Sequence, residues 1–257
     1  MSKLRIGLLG FGKAGRPAAD EVLKDPACQL KWVLRQSECD AGRYASRLLG
    51  HAVDAGPIYA ASRAACQDWW RSPEHQVDVV IDFSDTSSVA LYPYAASSGI
   101  RIVSAISNYS PEHLQIVDET ARKTALLHSA NITVGINFLM VAAKVLRDFA
   151  PHADIEIVEE HFRSKVGVSG TAMRIAGMLG IDGRQIKSLR AGGIIGRHEV
   201  IFGMPNQTLR MTHESISRAA FGRGALVAAK WLYRQAPGRY SMEEIVRESV
   251  TRSLQVA

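Results

Sequence analysis

The apolar run Leu4-Arg5-Ile6-Gly7-Leu8-Leu9 passes directly into Gly10-Phe11-Gly12-Lys13-Ala14-Gly15, and no other junction constrains the fold of this chain as strongly. The run predicts a buried strand, and the helical pattern from Ala14 to Leu23 follows with only the glycine turn between them. In that setting the glycines permit a tight turn and let a pyrophosphate approach the backbone at a helix N-terminus. The plainer alternative is a turn whose glycines serve only steric needs. Further apolar strands are predicted at Leu30–Leu34, Val77–Phe83, Ile100–Val103 and Ala125–His128, with helical stretches such as Pro111–Lys123 between them. Fully apolar strands alternating with helices predict a parallel sheet covered on both faces, an α/β fold whose N-terminal part is a Rossmann dinucleotide-binding domain.

The pattern changes near Ser129. After a helix at about Asn137–Phe149, Asp154-Ile155-Glu156-Ile157-Val158-Glu159-Glu160 alternates at period two. Further strands are expected at Ile186–Ala191, Glu199–Phe202 and Thr208–His213, then helices at about Gly222–Gln235 and Met242–Ser253. The expectation is a second α+β domain on an open mixed sheet. The change of pattern sets residues 1–128 apart from 129–237, with 238–257 closing the chain.

The formal net charge is +6, but the basic residues are dispersed, with neither a long run nor interleaved aromatics, which counts against nucleic acid as a partner. No apolar run approaches the roughly 18 residues that cross a bilayer, and the N-terminal residues lack signal-peptide character, so no membrane role is expected. Three cysteines without metal spacing suggest a reduced, cytoplasmic protein with no metal site.

Two clusters carry chemistry. The second strand ends in Arg35, where an NAD enzyme places a carboxylate for the ribose 2′-hydroxyl. A guanidinium there suits a 2′-phosphate, so NADPH is expected, with NADH possible, although Glu38 follows closely and Arg35 could equally be a solvated surface residue. In the second half, His161-Phe162-Arg163-Ser164-Lys165 precedes Ser169-Gly170-Thr171-Ala172. His161 could supply or relay a proton, Lys165 could donate one or pair with a carboxylate, and Ser169-Gly170-Thr171 reads as an anion-holding helix start. Taken alone, these residues fit a structural role as well.

At these positions the chain resembles the dihydrodipicolinate reductase family of lysine biosynthesis, whose signature is Glu-x-His-His-x-x-Lys-Val-Asp-Ala-Pro-Ser-Gly-Thr-Ala. Here Glu159-Glu160-His161-Phe162-Arg163-Ser164-Lys165-Val166-Gly167-Val168-Ser169-Gly170-Thr171-Ala172 stands in its place. Asp82-Phe83-Ser84, Ser129 through Asn137, Arg190 through His198, and Phe221-Gly222-Arg223-Gly224-Ala225 are similar to further family segments, in the same order. The resemblance implies hydride transfer from NAD(P)H to a cyclic carboxylated imine, with the cofactor bound by 1–128, substrate binding and homotetramer assembly in 129–237, and the helix of 238–257 returning to the first domain. It assigns His161 and Lys165 to catalysis, and Phe162, Lys165, Ser169, Gly170 and Thr171 to substrate. Besides the glycine turn and Arg35, it adds Phe83, Ser84, Ser104, Ala105, Ile106 and Asn131 to the cofactor contacts.

The departures from the family pattern gather around the ring site. Phe162 replaces the second histidine, Gly167-Val168 shorten Asp-Ala-Pro, Asp85 stands where arginine is usual, and Ser104-Ala105-Ile106-Ser107 replace Gly-Thr-Thr-Gly. Lost hydroxyls at Ala105 and Ile106 lead to the expectation that the usual dicarboxylate is handled poorly. A ring with one carboxylate, in a specialised pathway, is then the alternative substrate. A non-catalytic NADP-binding protein is the third reading, and retention of both His161 and Lys165 counts against it.

Overall fold

A computed structural model of the chain describes Ser2–Val256. Met1 and Ala257, the outer ends of the expected ranges 1–128 and 238–257, lie outside the described residues. The residues fall into two units: one runs to Ile132 and includes Phe221–Ile245, and the other comprises Thr133–Ala220 and the chain from Val246.

In the first unit the elements are β1 (Leu4–Leu9), α1 (Gly15–Lys24), β2 (Cys28–Arg35), α2 (Ala45–Leu48), β3 (Ile58–Ala60), α3 (Gln67–Arg71), β4 (Val79–Asp82), α4 (Tyr92–Ser97), β5 (Arg101–Ser104), α5 (Pro111–Ala121) and β6 (Ala125–His128). With β11 (Gly238–Tyr240) they form a seven-stranded sheet in the order β11-β6-β5-β4-β1-β2-β3, every pair parallel. The order reverses between β1 and β4, the place where open α/β sheets bind ligands beyond their strand ends. Alternate side chains feed two cores. Ile6, Leu8, Val33 and Ile81 pack with Ala18, Ala19 and Val22 of α1, whereas Leu9, Trp32, Leu34 and Val80 pack with Trp69, Trp70 and Tyr92.

The sequence-based boundary needs correction at α8 (Ala219–Leu232), which was expected in the second domain. Its buried stripe of Ala225, Leu226, Ala228, Ala229 and Leu232 belongs to the same core as α1. A Cβ at Gly222 would lie 2.8 Å from the Ala18 backbone, so only glycine admits this approach. Arg223–Glu21 at 2.8 Å and Lys230–Asp25 at 2.5 Å flank it. Helix α9 (Met242–Val256) was expected wholly with the first domain, but from Val246 onward it groups with the second unit.

The second unit contains α6 (Val134–Phe149), β7 (Asp154–His161), α7 (Gly170–Leu179), β8 (Lys187–Arg190), β9 (Arg197–Met204) and β10 (Gln207–Glu214). Its mixed sheet has the order β10-β9-β7-β8, with β7–β8 parallel and the other pairs antiparallel. Ile157, Val200 and Phe202 pack against Ile136, Leu139 and Met140 of α6 and Ile175, Ala176 and Leu179 of α7. The period of two puts Ile155, Ile157, Glu159 and His161 on one face of β7, so the face that begins as core ends in a carboxylate and an imidazole.

Candidate functional site

At the β1–α1 junction the space is shaped by what glycine leaves out. Gly10 has φ +88°, and a Cβ there would sit 2.7 Å from the Phe83 carbonyl oxygen. A Cβ at Gly15 would sit 2.1 Å from the Gly10 carbonyl oxygen, whereas Gly12 faces open space. No side chain caps α1 at Ala14, so the N-terminal turn, with its positive dipole end, remains suited to an anion. Lys13 is exposed and Phe11 is buried, which limits Phe11 to backbone contact with any ligand. Beside the turn, a cleft of about 270 Å³ is lined by Gly10, Leu34, Gln36, Ser62, Ser84 and Ser88, among others.

Arg35 ends β2, between Leu34 and Gln36 of the cleft lining. Its Nη1 donates to the Asp40 carboxylate at 2.5 Å and to the Cys39 carbonyl at 3.2 Å, and Arg43 reaches the same Asp40 at 3.1 Å. Sequence reasoning found the cation and missed its internal anion. Ser84 is held inward, donating through its backbone N–H (2.8 Å) and Oγ (2.6 Å) to the buried Asp82. Burial raises the Asp82 carboxyl above its ordinary range, and hydrogen bonds from Ser84, Ser88 and Tyr92 oppose that rise. Ser104 and Ile106 are buried, Ala105 is half-buried, and the Asn131 carbonyl accepts from Ser129 Oγ at 2.7 Å.

In the second unit, the expected histidine is built into a polar cluster. Register places Glu159 opposite Ser188 on β8 and His198 on β9, and places His161 opposite Arg190. The fully buried Glu159 accepts from Ser188 Oγ at 2.6 Å, from Arg190 Nη2 at 2.6 Å and from His161 Nδ1. Burial works to raise the Glu159 carboxyl, but these three donors outweigh it and hold the group down at about 2. Burial lowers His161 below its usual value even against the pull of Glu159. The histidine is therefore a neutral ring with its proton on Nδ1 and a lone pair on Nε2. A side chain at Gly196 would come within 3.1 Å of that nitrogen, and glycine keeps it open.

Arg190 also donates to the Lys165 carbonyl (3.0 Å) and the Gly167 carbonyl, fastening the loop that carries Lys165 to the carboxylate that orients His161. Lys165 is half-buried and Phe162 exposed. Ser169 stands at the helix start its sequence suggests, with its hydroxyl turned inward. Its buried Oγ caps α7 by accepting from Ala172 N–H at 3.0 Å and meets His198 Nε2 at 2.9 Å, while Gly170 opens the helix toward free space. Glu159, Arg190 and His198 were not singled out as site residues. For Glu159 the signal was available, because it shares the strand parity of Ile155, Ile157 and His161.

Comparison with known proteins bears on both units. Residues 4–132 match the family model described as dihydrodipicolinate reductase, N-terminus, and residues 132–246 match dihydrodipicolinate reductase, C-terminus. The 4-hydroxy-tetrahydrodipicolinate reductase of Methylococcus capsulatus is 31% identical, covering 95% of this chain and 98% of its own. That of Caldanaerobacter subterraneus subsp. tengcongensis is 38% identical over 68% of this chain and 79% of its own. Among solved structures, a dipicolinate-bound dihydrodipicolinate reductase from Paenisporosarcina sp. TG-14 shares the fold, with a TM-score of 0.77 and 22% identity over 95% of this chain and 99% of that one. An amine dehydrogenase from Mycobacterium smegmatis also shares it, with a TM-score of 0.65 and 12% identity over 94% of this chain and 96% of that one. Among the described residues no helix is long and apolar enough to cross a membrane.

Proposed function

Because this chain belongs to the dihydrodipicolinate reductase family and is an NAD(P)H-dependent oxidoreductase of lysine biosynthesis, we propose that it prefers NADPH and reduces the carboxylated cyclic imine 4-hydroxy-tetrahydrodipicolinate. The observation that carries the chemistry is the Glu159–His161 pair, a buried carboxylate fixing the tautomer of an imidazole whose Nε2 stays open. The glycine turn fits a pyrophosphate, since Gly10 and Gly15 close the backbone around a space that Gly12 leaves free. A bound dihydronicotinamide supplies the hydride.

Reduction of the conjugated imine consumes a proton as well, and the residues divide that work. His161 has committed its Nδ1 proton to Glu159, so Nε2 accepts a hydrogen bond or a proton. Donation falls to the Lys165 ammonium, which also pairs with a ring carboxylate. The Gly170-Thr171 helix start receives that carboxylate, with Ser169 shaping the turn as its cap. Phe162 lies along the ring, and Phe83, Ser84, Ser104, Ala105, Ile106 and Asn131 line the cofactor. The three free cysteines suit the cytoplasm. The family's homotetramer suits an outer strand, β10, exposed along most of its length beside an apolar groove of Phe138, Val145, Phe149 and Leu209.

A second reading, a monocarboxylate ring, is favoured by Ser104, whose Oγ is already bonded to Tyr109 at 2.6 Å and so offers little to a second carboxylate. Steady-state NADPH oxidation should compare freshly generated 4-hydroxy-tetrahydrodipicolinate with piperideine-2-carboxylate. A kcat/KM of about 10⁴–10⁸ M⁻¹s⁻¹ for the dicarboxylate alone is the expected result. Turnover of the monocarboxylate alone would transfer the assignment to the second reading.

A further inference from the structure

A hydrogen-bonded chain runs beneath the loop that follows β5, and its direction can be deduced. Tyr92 gives its only hydroxyl proton to Asp82 at 2.7 Å. The contact between the Tyr92 and Tyr109 hydroxyls, at 3.0 Å, must then be donated by Tyr109. Tyr109 has no second proton, so its 2.6 Å contact with Ser104 Oγ is donated by Ser104. Ser104 Oγ is left as an acceptor toward the Ile106 N–H, at 3.4 Å. Every hydroxyl in the chain thus has one orientation, ending on a buried carboxylate.

The same tyrosine supports the loop from its other side. His128 Nε2 meets the Ile106 carbonyl at 2.9 Å, and the His128 ring lies against the Tyr109 ring with centroids 4.7 Å apart. The Ala105 N–H donates to the Asp82 carbonyl at 2.9 Å, which ties the loop to the neighbouring strand end as well. Sites carried on loops are less exact than sites on strands unless surrounding groups lock them. Residues 104–106 offer one hydroxyl, and that hydroxyl faces inward.

We propose that Tyr109 is a positioning residue for the nicotinamide end of the cofactor, fixing the backbone of residues 104–106 through Ser104 on one side and His128 on the other. The proposal rests on the reading of Ser104, Ala105 and Ile106 as cofactor-lining residues. Tyr109 touches neither cofactor nor substrate in this assignment. Its effect reaches only the half of the cofactor that meets the loop, leaving the adenosine half to the glycine turn and the cleft beside it.

Calorimetric titration with NADPH and with 2′,5′-ADP, which lacks the nicotinamide, separates the two halves. In Tyr109→Phe the NADPH affinity should fall several-fold and kcat about tenfold, with 2′,5′-ADP affinity within twofold of wild type. Ser104→Ala breaks the same link from the other end and should show the same split, which keeps the test decisive if the tyrosine variant misfolds. Equal weakening of both ligands, or unchanged NADPH affinity and kcat in the two variants, would overturn the proposal. Wild-type protein that binds neither ligand would overturn the cofactor reading and the proposal with it, an outcome distinct from the other two.

Discussion

Arg190 donates through Nη2 to the Glu159 carboxylate at 2.6 Å, and the same guanidinium holds the Lys165 and Gly167 carbonyls. One side chain therefore connects the group that orients His161 with the loop that carries Lys165. Lysine cannot reproduce this arrangement, because its ammonium lacks the planar fork that meets three acceptors at once. Arg190→Met should lower kcat by about ten- to a hundredfold while NADPH affinity stays within twofold. It should also cost about 3–5 kcal/mol of stability, since a buried carboxylate is left without its cation. Unchanged kcat in a folded variant would remove Arg190 from the catalytic arrangement.

Lys165 and His161 are expected to respond differently to substitution. Lys165→Met removes the proposed proton donor and should cut kcat by about 10²–10⁴-fold, with little change in NADPH affinity. His161→Gln should cost less, because His161 is assigned an accepting role through Nε2. Glu159→Gln should resemble His161→Gln, since the carboxylate acts through the imidazole. If His161→Gln abolished turnover while Lys165→Met left it near normal, the donor and acceptor assignments would have to be exchanged.

Cofactor preference should depend on two residues that face each other. Arg35→Ala should reduce the preference for NADPH over NADH by about ten- to a hundredfold, the value of a charge-assisted hydrogen bond of roughly 1.5–3 kcal/mol. Asp40→Asn should move it the other way, by about three- to tenfold, because Asp40 now competes with the 2′-phosphate for the guanidinium. Fluorescence titration of both cofactors against both variants measures this. Equal shifts in NADPH and NADH affinity would place the pair away from the 2′-phosphate.

Burial holds His198 neutral down to about 4, below the ordinary imidazole value, and the nearby His161 adds to the effect. The unfolded chain takes up this proton near pH 6.5 and the native protein only near 4, so the contribution to stability is complete above 6.5 and is lost as pH falls through 4. Between pH 6.5 and 5 the loss should be about 2 kcal/mol. Denaturant unfolding at pH 7 and pH 5 should therefore show a smaller difference in His198→Gln than in wild type. Parallel pH slopes in the two proteins would assign the acid sensitivity to other groups.

Strands β1, β2, β4, β5 and β6 and helices α1 and α5 of the cofactor half were legible because each rests on local periodicity. A six-residue run interrupted only by Arg5 before a glycine turn leaves β1, the turn and α1 almost no alternative. The short strands β3 and β11 were missed, since three residues at a sheet edge carry no detectable period. The family motifs contain His161 and Lys165 but do not reveal that Glu159 bonds the imidazole or that Arg190 holds the Lys165 carbonyl.

Local order determined the strand–turn–helix units of the first domain and its glycine turn, because those depend on neighbours a few positions away. Tertiary structure alone decided that α8 packs on α1, that Ser169 meets His198, and that Ser188 and Arg190 close over the Glu159 carboxylate. The Arg190–Glu159 pair joins residues 31 positions apart and Lys230–Asp25 joins residues 205 apart. A charged residue in a strand reads as solvent-facing until the chain returns with its partner, and only the folded packing brings that partner within hydrogen-bond distance.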